Sequence, residues 1–99
     1  MHFVYILYSP SADSFYVGQT VDLPERFRRH NARIEPSTKR FAPWLLLWST
    51  PKNTREEAVR LELRLKNLSR KRKISFMLRH SEGISSPDEL KLLLQLSGC

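Results

Sequence analysis

The sequence predicts a small α+β domain in which a three-stranded antiparallel sheet is flanked by helices. Two short segments rich in β-branched and aromatic residues stand near the start of the chain, with turn residues between them. A third apolar segment lies in the middle of the chain, and helix-capping signals follow the second and third segments. The predicted order of elements is therefore β-β-α-β-α-α.

The first two strands are predicted to form a hairpin. Residues 3–9 read Phe-Val-Tyr-Ile-Leu-Tyr-Ser, and residues 14–19 read Ser-Phe-Tyr-Val-Gly-Gln. Side chains of this kind favour strands, and the Pro-Ser-Ala-Asp stretch at residues 10–13 is typical of a turn. Four or five residues between two strands are a common hairpin connection.

The third predicted strand covers residues 44–50, which read Trp-Leu-Leu-Leu-Trp-Ser-Thr and end before Pro51. Its length and its aromatic ends favour a buried strand, although periodicity alone leaves a helix open. Residues 31–43 before it are polar and basic and contain two prolines. We therefore predict an exposed loop over that stretch.

Capping residues mark the start of the first two predicted helices. Asp22 is followed three residues later by Glu25, and Thr54 stands in the same relation to Glu57. This spacing is the signature of a capping box. Apolar residues at three- and four-residue intervals continue the second helix, which is predicted to run into the basic block at residues 70–73.

The chain is predicted to be one domain, because 99 residues suffice for one modest core and no linker divides them. Residues 74–78 are predicted to add a helical turn or two. Residues 81–99 are predicted to form a helical extension that packs on residues 1–80, with its helix at residues 90–96. The five leucines of that helix cover more than one face, so burial on the domain and contact with a second copy or a larger partner both stay open.

Basic residues outnumber acidic ones by 17 to 10, which gives a net charge of +7 and an isoelectric point near 10.1. Such an excess favours a polyanionic partner, and nucleic acid is the commonest of these for a soluble protein. A solvated basic surface or a ribosome-associated protein explains the same charge. An anionic membrane is disfavoured, because no long basic amphipathic helix carries a bulky aromatic face.

The remaining bulk features favour a cytoplasmic protein with no membrane partner. Cys99 is the single cysteine, so an intramolecular disulfide is impossible, which suits a reducing compartment. The apolar run at residues 3–8 is too short for a signal peptide and lacks basic residues before it. No segment approaches the roughly 20 apolar residues of a membrane span.

Two tripeptides on the predicted hairpin resemble the signature of a nuclease family. Val4-Tyr5-Ile6 lies on the first strand and Tyr16-Val17-Gly18 on the second, with Arg26 and His30 on the next helix and Glu62 on a later one. In this order and spacing, residues 3–78 resemble the GIY-YIG endonuclease domain. The likeness is to small stand-alone bacterial proteins of that family and to the N-terminal domain of the excinuclease C subunit.

The sequence departs from the family pattern at three points. Val4 stands where the first motif usually has glycine, and Gln19 stands where many relatives have lysine or another polar residue. No clear counterpart exists for the late asparagine that some catalytic members place after the metal-binding glutamate. These departures concern catalytic activity more than they concern the fold.

The resemblance implies metal-dependent hydrolysis of DNA phosphodiester bonds, in repair or recombination, by a nuclease domain at residues 1–80. Glu62 would hold Mg²⁺ or Mn²⁺, with water and a substrate phosphate completing the coordination shell. It is the only acidic residue between Glu57 and Glu82. Without the resemblance, Glu62 and Lys66 form an ordinary ion pair on a helix surface.

The resemblance also implies roles for the two tyrosines, the arginine and the histidine. Tyr5 would accept the proton of the attacking water, with Arg26 or the metal favouring its phenolate form, while Tyr16 orients the water or contacts the phosphate. Arg26 would bind the scissile phosphate, and His30 would pass a proton or bond a phosphate oxygen. Without the resemblance, these residues are structural.

Nucleic-acid contacts are expected from Gly18 and from basic side chains. Gly18 fits a place where substrate or a helix backbone comes close to a strand. The basic residues would bind DNA mainly through backbone phosphates in a salt-dependent way; they are Arg28, Arg29, Lys39, Arg40, Lys66, Arg70, Lys71, Arg72 and Lys73. A non-catalytic module that keeps the fold and binds DNA or structured RNA is the alternative function, and a larger repair partner or a homodimer through the C-terminal helix stays open.

Overall fold

The structure, a computed structural model, describes residues 1–98, so Cys99 lies outside the described residues. Three strands, β1 (His2–Ser9), β2 (Ser14–Thr20) and β3 (Leu45–Lys52), form an antiparallel sheet in the order β2-β1-β3. The α-helices of the described part are α1 (Leu23–Asn31), α2 (Arg55–Lys66), α3 (Arg70–Arg79) and α4 (Pro87–Ser97), and two short 3₁₀ helices lie at Lys39–Phe41 and Ser81–Gly83. The predicted fold class, an α+β domain with a three-stranded antiparallel sheet, is confirmed.

The hairpin of β1 and β2 has the predicted turn, and its register places the two motif tyrosines diagonally. Tyr5 lies opposite Gly18, and Tyr16 lies opposite Leu7. Side chains two positions apart on a strand point to the same face, so both tyrosines emerge from one side of the sheet. They are diagonal neighbours, whereas the sequence suggested only that they lie on opposite strands.

The central sheet separates two apolar layers. On one face, Val4, Ile6 and Tyr8 of β1 pack with buried residues of α2, α3 and α4; these include Ala58, Leu65, Met77 and Leu93. We call this side the helical layer. On the other face, Tyr5 and Leu7 pack with Trp44, while Tyr16, Leu23 and Phe27 border the same cluster. This second side, which contains α1 and the segment before β3, is the α1 layer.

Capping bonds start the helices largely as predicted. The Asp22 side chain accepts a hydrogen bond from the Glu25 amide, and Thr54 and Glu57 bond each other's backbone in a reciprocal capping box. The prediction that the second helix runs into residues 70–73 is wrong. Helix α2 ends at Lys66, and the Ser69 side chain accepts a bond from the Arg72 amide and so begins a new helix.

The C-terminal helix α4 buries one side on the helical layer and exposes the other. Leu93 is fully buried in the core, whereas Leu90 and Leu94 are 36% and 52% exposed. The segment before α4 is joined to β3 by a hydrogen bond of 3.0 Å from the Ser85 amide to the Leu47 carbonyl. Among residues 1–98, no helix combines the length and the apolar character needed to cross a membrane.

Candidate active site

Tyr5 lies at the centre of the α1 layer and has no exposed surface. Its ring covers Gly18 on the neighbouring strand: a Cβ atom built on Gly18 would stand 2.5 Å from the Tyr5 hydroxyl oxygen. That is closer than real Cβ contacts allow, so a glycine is required there. The close approach expected at Gly18 is thus made by the Tyr5 side chain, and Gly18 itself is buried.

His30 connects the sheet to the loop that follows α1. Its Nε2 is 2.8 Å from the Tyr5 hydroxyl, and its Nδ1 is 2.7 Å from the Thr38 hydroxyl. The imidazole is 1% exposed, and both of its ring nitrogens have a protein partner. Two neutral tautomers satisfy these contacts: with the proton on Nδ1, His30 donates to Thr38 and accepts from Tyr5; with the proton on Nε2, the directions reverse.

The loop before β3 is held firmly enough to keep Thr38 beside His30. The Trp44 indole Nε1 donates to the Thr38 carbonyl at 2.9 Å. Asn31 bonds the Trp44 backbone twice, accepting from its amide at 2.5 Å and donating to its carbonyl at 3.1 Å. Residues 31–43 were predicted to be an exposed loop, and most are exposed, but Thr38 is fully buried.

The electrostatics of this group oppose a phenolate at Tyr5. Burial raises the pKa of the Tyr5 phenol well above its ordinary value, and the neighbouring Tyr16 raises it further. Arg26 lies close enough to act on the same hydroxyl by hydrogen bonding and by charge, and it lowers the pKa. Arg26 therefore acts in the direction expected from the sequence, but the effect of burial is larger.

His30 is neutral at neutral pH, because burial lowers its pKa below the ordinary value of 6.5. Arg26 acts in the same direction, while the carboxylate of Glu35 raises the pKa. A neutral imidazole beside a phenol is able to accept a proton. The partner that can take the Tyr5 proton is therefore His30, a contact that the helical spacing of Arg26 and His30 did not reveal.

Tyr16 is the more accessible of the two motif tyrosines. It is partly exposed, and its ring centroid lies 5.1 Å from that of His30 and 6.4 Å from that of Tyr5. The structure thus brings together Tyr5, Tyr16, Arg26 and His30 on one face of the sheet. We call these four residues and Thr38 the relay cluster.

Glu62 lies on helix α2 and makes none of the hydrogen bonds of the relay cluster. Its side chain is 16% exposed, and its Oε2 is 3.1 Å from the Lys66 ammonium. Helix α2 packs against β2, the strand that carries Tyr16. Within residues 1–98 no group of three or more histidine, cysteine, aspartate or glutamate side chains is placed to hold a metal ion, so a cation at Glu62 would bind one carboxylate, water and substrate oxygens.

Several basic residues expected to contact DNA are engaged within the protein. Four of them form ion pairs at 3.1 Å or less: Arg28 with Glu25, Arg29 with Glu35, Lys66 with Glu62, and Arg70 with Asp13. Lys73 donates to the Leu68 carbonyl at 2.6 Å, and burial lowers its pKa. Lys39, Arg40, Lys71 and Arg72 are exposed.

Thr38 and Asn31 are the residues of this site that sequence reasoning missed. Nothing in the local pattern distinguishes Thr38 from the other polar residues of its loop. Asn31 directly follows His30 in the sequence. Its adjacency to His30 was the one available signal, because two polar residues at a helix C-terminus are well placed to bond a following loop.

Comparisons with known proteins agree with this architecture. The family model described as "GIY-YIG catalytic domain" matches residues 1–75. A UPF0213 protein of Listeria monocytogenes is 37% identical over 83 residues, which cover 83% of this chain and 92% of that protein. The UPF0213 protein BH0048 of Halalkalibacterium halodurans is 36% identical over 75 residues, covering 73% of this chain and 77% of that protein.

A solved structure supports the same assignment. The solution NMR structure of the UPF0213 protein BH0048 from Bacillus halodurans superposes with a TM-score of 0.52 at 32% sequence identity, over 89% of each chain. The family match extends from β1 into α3 and so includes every member of the relay cluster and Glu62. The chain belongs to the GIY-YIG family of nuclease domains.

Proposed function

We propose that this protein is a metal-dependent endonuclease that hydrolyses phosphodiester bonds in DNA. The observation that carries the proposal is the relay from Tyr5 through His30 to Thr38, with contacts of 2.8 and 2.7 Å, buried beside Arg26 and the partly exposed Tyr16. A buried, fully bonded polar chain of this kind provides a defined path for one proton. Family membership supports phosphodiester hydrolysis as the reaction that uses it.

In this proposal Tyr16 and Arg26 meet the substrate, because Tyr5 is fully buried. The Arg26 guanidinium binds the scissile phosphate through two parallel donors, a geometry that lysine does not offer. The Tyr16 hydroxyl orients the attacking water. These assignments keep the roles that the resemblance implies for both residues.

The proton that the water releases is taken up by the Tyr5–His30 pair. The Tyr16 hydroxyl takes the proton of the water and passes its own proton to the Tyr5 oxygen, whose proton passes to His30 Nε2, so both tyrosines end neutral and His30 ends as an imidazolium. Thr38 accepts the hydrogen bond from Nδ1–H in this state. Because burial lowers the pKa of His30, the imidazole begins neutral and returns its proton readily.

Glu62 is the residue that we assign to the metal. A single carboxylate suits Mg²⁺, which keeps several waters and shares substrate phosphates, and the low exposure of Glu62 holds its carboxylate in a defined place. A bound divalent cation supplies charge neutralisation at the phosphate and at the departing oxygen. Lys66, which pairs with Glu62 at 3.1 Å, would then be released toward the DNA backbone.

The test is nicking of supercoiled and branched DNA with Mg²⁺ or Mn²⁺ by the wild type, Glu62→Gln and Tyr16→Phe. We expect Tyr16→Phe to lose about 10²-fold in rate and Glu62→Gln to fall to the background. Glu56→Gln is the matched control, since Glu56 is an exposed acid on the same helix, and it should cut at the wild-type rate. DNA binding without nicking by the wild type would instead establish the non-catalytic module.

A further inference from the structure

A basic groove runs from the end of β3 across α2 to α3, away from the relay cluster. Two adjoining cavities form it: one of about 460 Å³ that includes Lys52, Arg60 and Arg64, and one of about 250 Å³ that includes Arg64, Arg72 and Arg79. Arg64 lines both, so the two cavities are neighbours on the surface. Both helices belong to the helical layer, on the opposite side of the sheet from His30.

The cations of this groove are not neutralised by the protein. The ion pairs found within residues 1–98 involve Arg28, Arg29, Lys66, Arg70 and His80, and none of them involves a cation of the groove. The one acid that lines the groove is Glu57, whose carboxylate already accepts bonds from the Thr54 amide at 3.2 Å and hydroxyl at 3.1 Å. Five cations and one carboxylate therefore line the groove, which leaves it with an excess of four positive charges.

The groove is also shaped and partly rigid. Helix α3 supplies the Phe76 ring, and the Arg64 guanidinium from α2 lies over that ring at 5.7 Å from its centroid. This contact places one cation beside both cavities. A concave surface with an excess of positive charge concentrates its electric field and attracts a polyanion.

We propose that the groove formed by Lys52, Arg60, Arg64, Arg72 and Arg79 binds the phosphate backbone of a second DNA segment, different from the segment at the relay cluster. The partner is assigned as DNA on the strength of the proposed function. The spacing of the cations along two helices suits successive phosphates of one strand, since Arg60 and Arg64 lie one helical turn apart on α2, and Arg72 and Arg79 two turns apart on α3.

Two binding surfaces on opposite sides of the sheet indicate the class of substrate. The domain measures 35 × 28 × 24 Å along its principal axes, and the groove and the relay cluster lie on opposite faces of its sheet. A branched DNA, or two separate duplexes, can occupy both layers at once. The protein would therefore favour joined or branched DNA over a single straight duplex.

The experiment is a bridging assay in EDTA, where no metal-dependent cutting occurs. One duplex is immobilised, the full-length protein is added at a concentration where sedimentation shows a monomer, and capture of a second, labelled duplex is measured. The groove variant is Arg72→Gln with Arg79→Gln. The control variant is Arg55→Gln with Lys91→Gln, which removes the same charge at exposed positions that do not line the groove.

We expect the groove variant to bind the immobilised duplex but to fail to capture the labelled one, and the control variant to behave as the wild type. On a four-way junction, the slope of log affinity against log salt should fall by about 0.9 for each phosphate that the variant no longer neutralises, hence by about 1.8 for two. If both variants lost the same amount of capture, the groove would act only through the overall charge of the protein, and the proposal would be wrong. Unchanged capture by the groove variant would also overturn it. Preferential capture of an RNA hairpin would overturn the assignment to DNA.

The bridging assay and the nicking assay test the groove and the nuclease assignment separately. A protein that bridges duplexes in EDTA but never nicks DNA with Mg²⁺ or Mn²⁺ keeps the groove and loses the nuclease assignment. A protein that nicks DNA normally but does not bridge duplexes keeps the nuclease assignment and loses the groove. Circular dichroism of both variants shows whether each is folded.

Discussion

The two layers of the sheet use polar residues in opposite ways. In the α1 layer, Tyr5, His30 and Thr38 are almost completely buried, and each polar atom along the relay has a partner within the protein. In the helical layer, the arginines between α2 and α3 stand exposed, and no acid among residues 1–98 forms an ion pair with them. A buried chain of hydrogen bonds fixes the positions of its side chains, whereas exposed cations without an ion pair attract a polyanion over a distance. The proposals therefore place the proton relay on one side of the sheet and the capture of a second DNA segment on the other.

Among the substitutions that test this difference between the two layers, Tyr5→Phe is expected to have the largest effect. Removing the hydroxyl breaks the relay, so the nicking rate should fall by about 10²–10⁴-fold. The free energy of unfolding should fall by about 1–3 kcal/mol, because His30 Nε2 is left buried without a partner. Plasmid nicking and urea denaturation measure the two effects.

Tyr8→Phe is the matched control for that change. Tyr8 lies on the same strand but faces the helical layer, and its hydroxyl donates to Asp13 at 2.6 Å near the surface. Its removal should leave the nicking rate unchanged. Equal losses in the two variants would mean that the tyrosines of β1 serve only the fold.

A second effect, on stability, is expected from Gly18→Ala. The added methyl would stand 2.5 Å from the Tyr5 hydroxyl oxygen and 2.6 Å from its Cζ, so the buried ring must move. We expect a decrease of about 2–3 kcal/mol in the free energy of unfolding, as for overpacked cores, together with rupture of the Tyr5–His30 hydrogen bond. Gly98→Ala, at the exposed end of the described chain, should change stability by less than about 0.5 kcal/mol.

Thr38→Val tests whether the hydroxyl holds the imidazole. Valine keeps the shape of threonine but leaves His30 Nδ1 buried without a partner, so the free energy of unfolding should fall by about 1–2 kcal/mol. Nitrogen NMR shifts of His30 should show a mixture of tautomers. Thr38→Ser keeps the hydroxyl and should retain a single His30 tautomer and most of the nicking rate. If serine preserved neither of them, Thr38 would act through its packing alone.

The smallest effect is a dependence of stability on pH. The groups that face His30 are Tyr5, Tyr16, Arg26 and Glu35, and burial lowers the folded pKa of His30 below the ordinary 6.5. Below about pH 6.5 the His30 side chain binds a proton in the unfolded chain but not in the folded chain. The free energy of unfolding should therefore fall as pH drops through that range. His30→Gln should flatten the slope measured between about pH 7.5 and 5.5, and an unchanged slope would assign it to other groups.

Much of the fold follows from local signals in the sequence. The hairpin strands, the Asp22 cap and the Thr54–Glu57 capping box depend on residues within a few positions of one another, and the structure has all of them. The break before α3 was missed because the apolar spacing of α2 continues toward the basic block. Only the Ser69 side-chain bond to the Arg72 amide shows that a new helix starts there.

The candidate site was less predictable, because its contacts span long stretches of sequence. Tyr5 and His30 are 25 positions apart, and no periodicity of either element indicates that their polar atoms meet. Thr38 reaches His30 only because Asn31 and Trp44 close the loop around it. The spacing of Arg26 and His30 on one helix was visible, but the burial that sets the pKa of His30 depends on the packed sheet.

The two motif tripeptides of the hairpin differ in how much substitution they tolerate. The Val4 side chain points into the helical layer with Ile6, where an aliphatic residue adds apolar contact, so a glycine at this position serves no steric purpose in this chain. Gly18 lies beneath a buried aromatic ring and has no room for a Cβ atom. Packing therefore fixes the glycine of the second motif in this chain, whereas the corresponding position of the first motif accepts an aliphatic side chain.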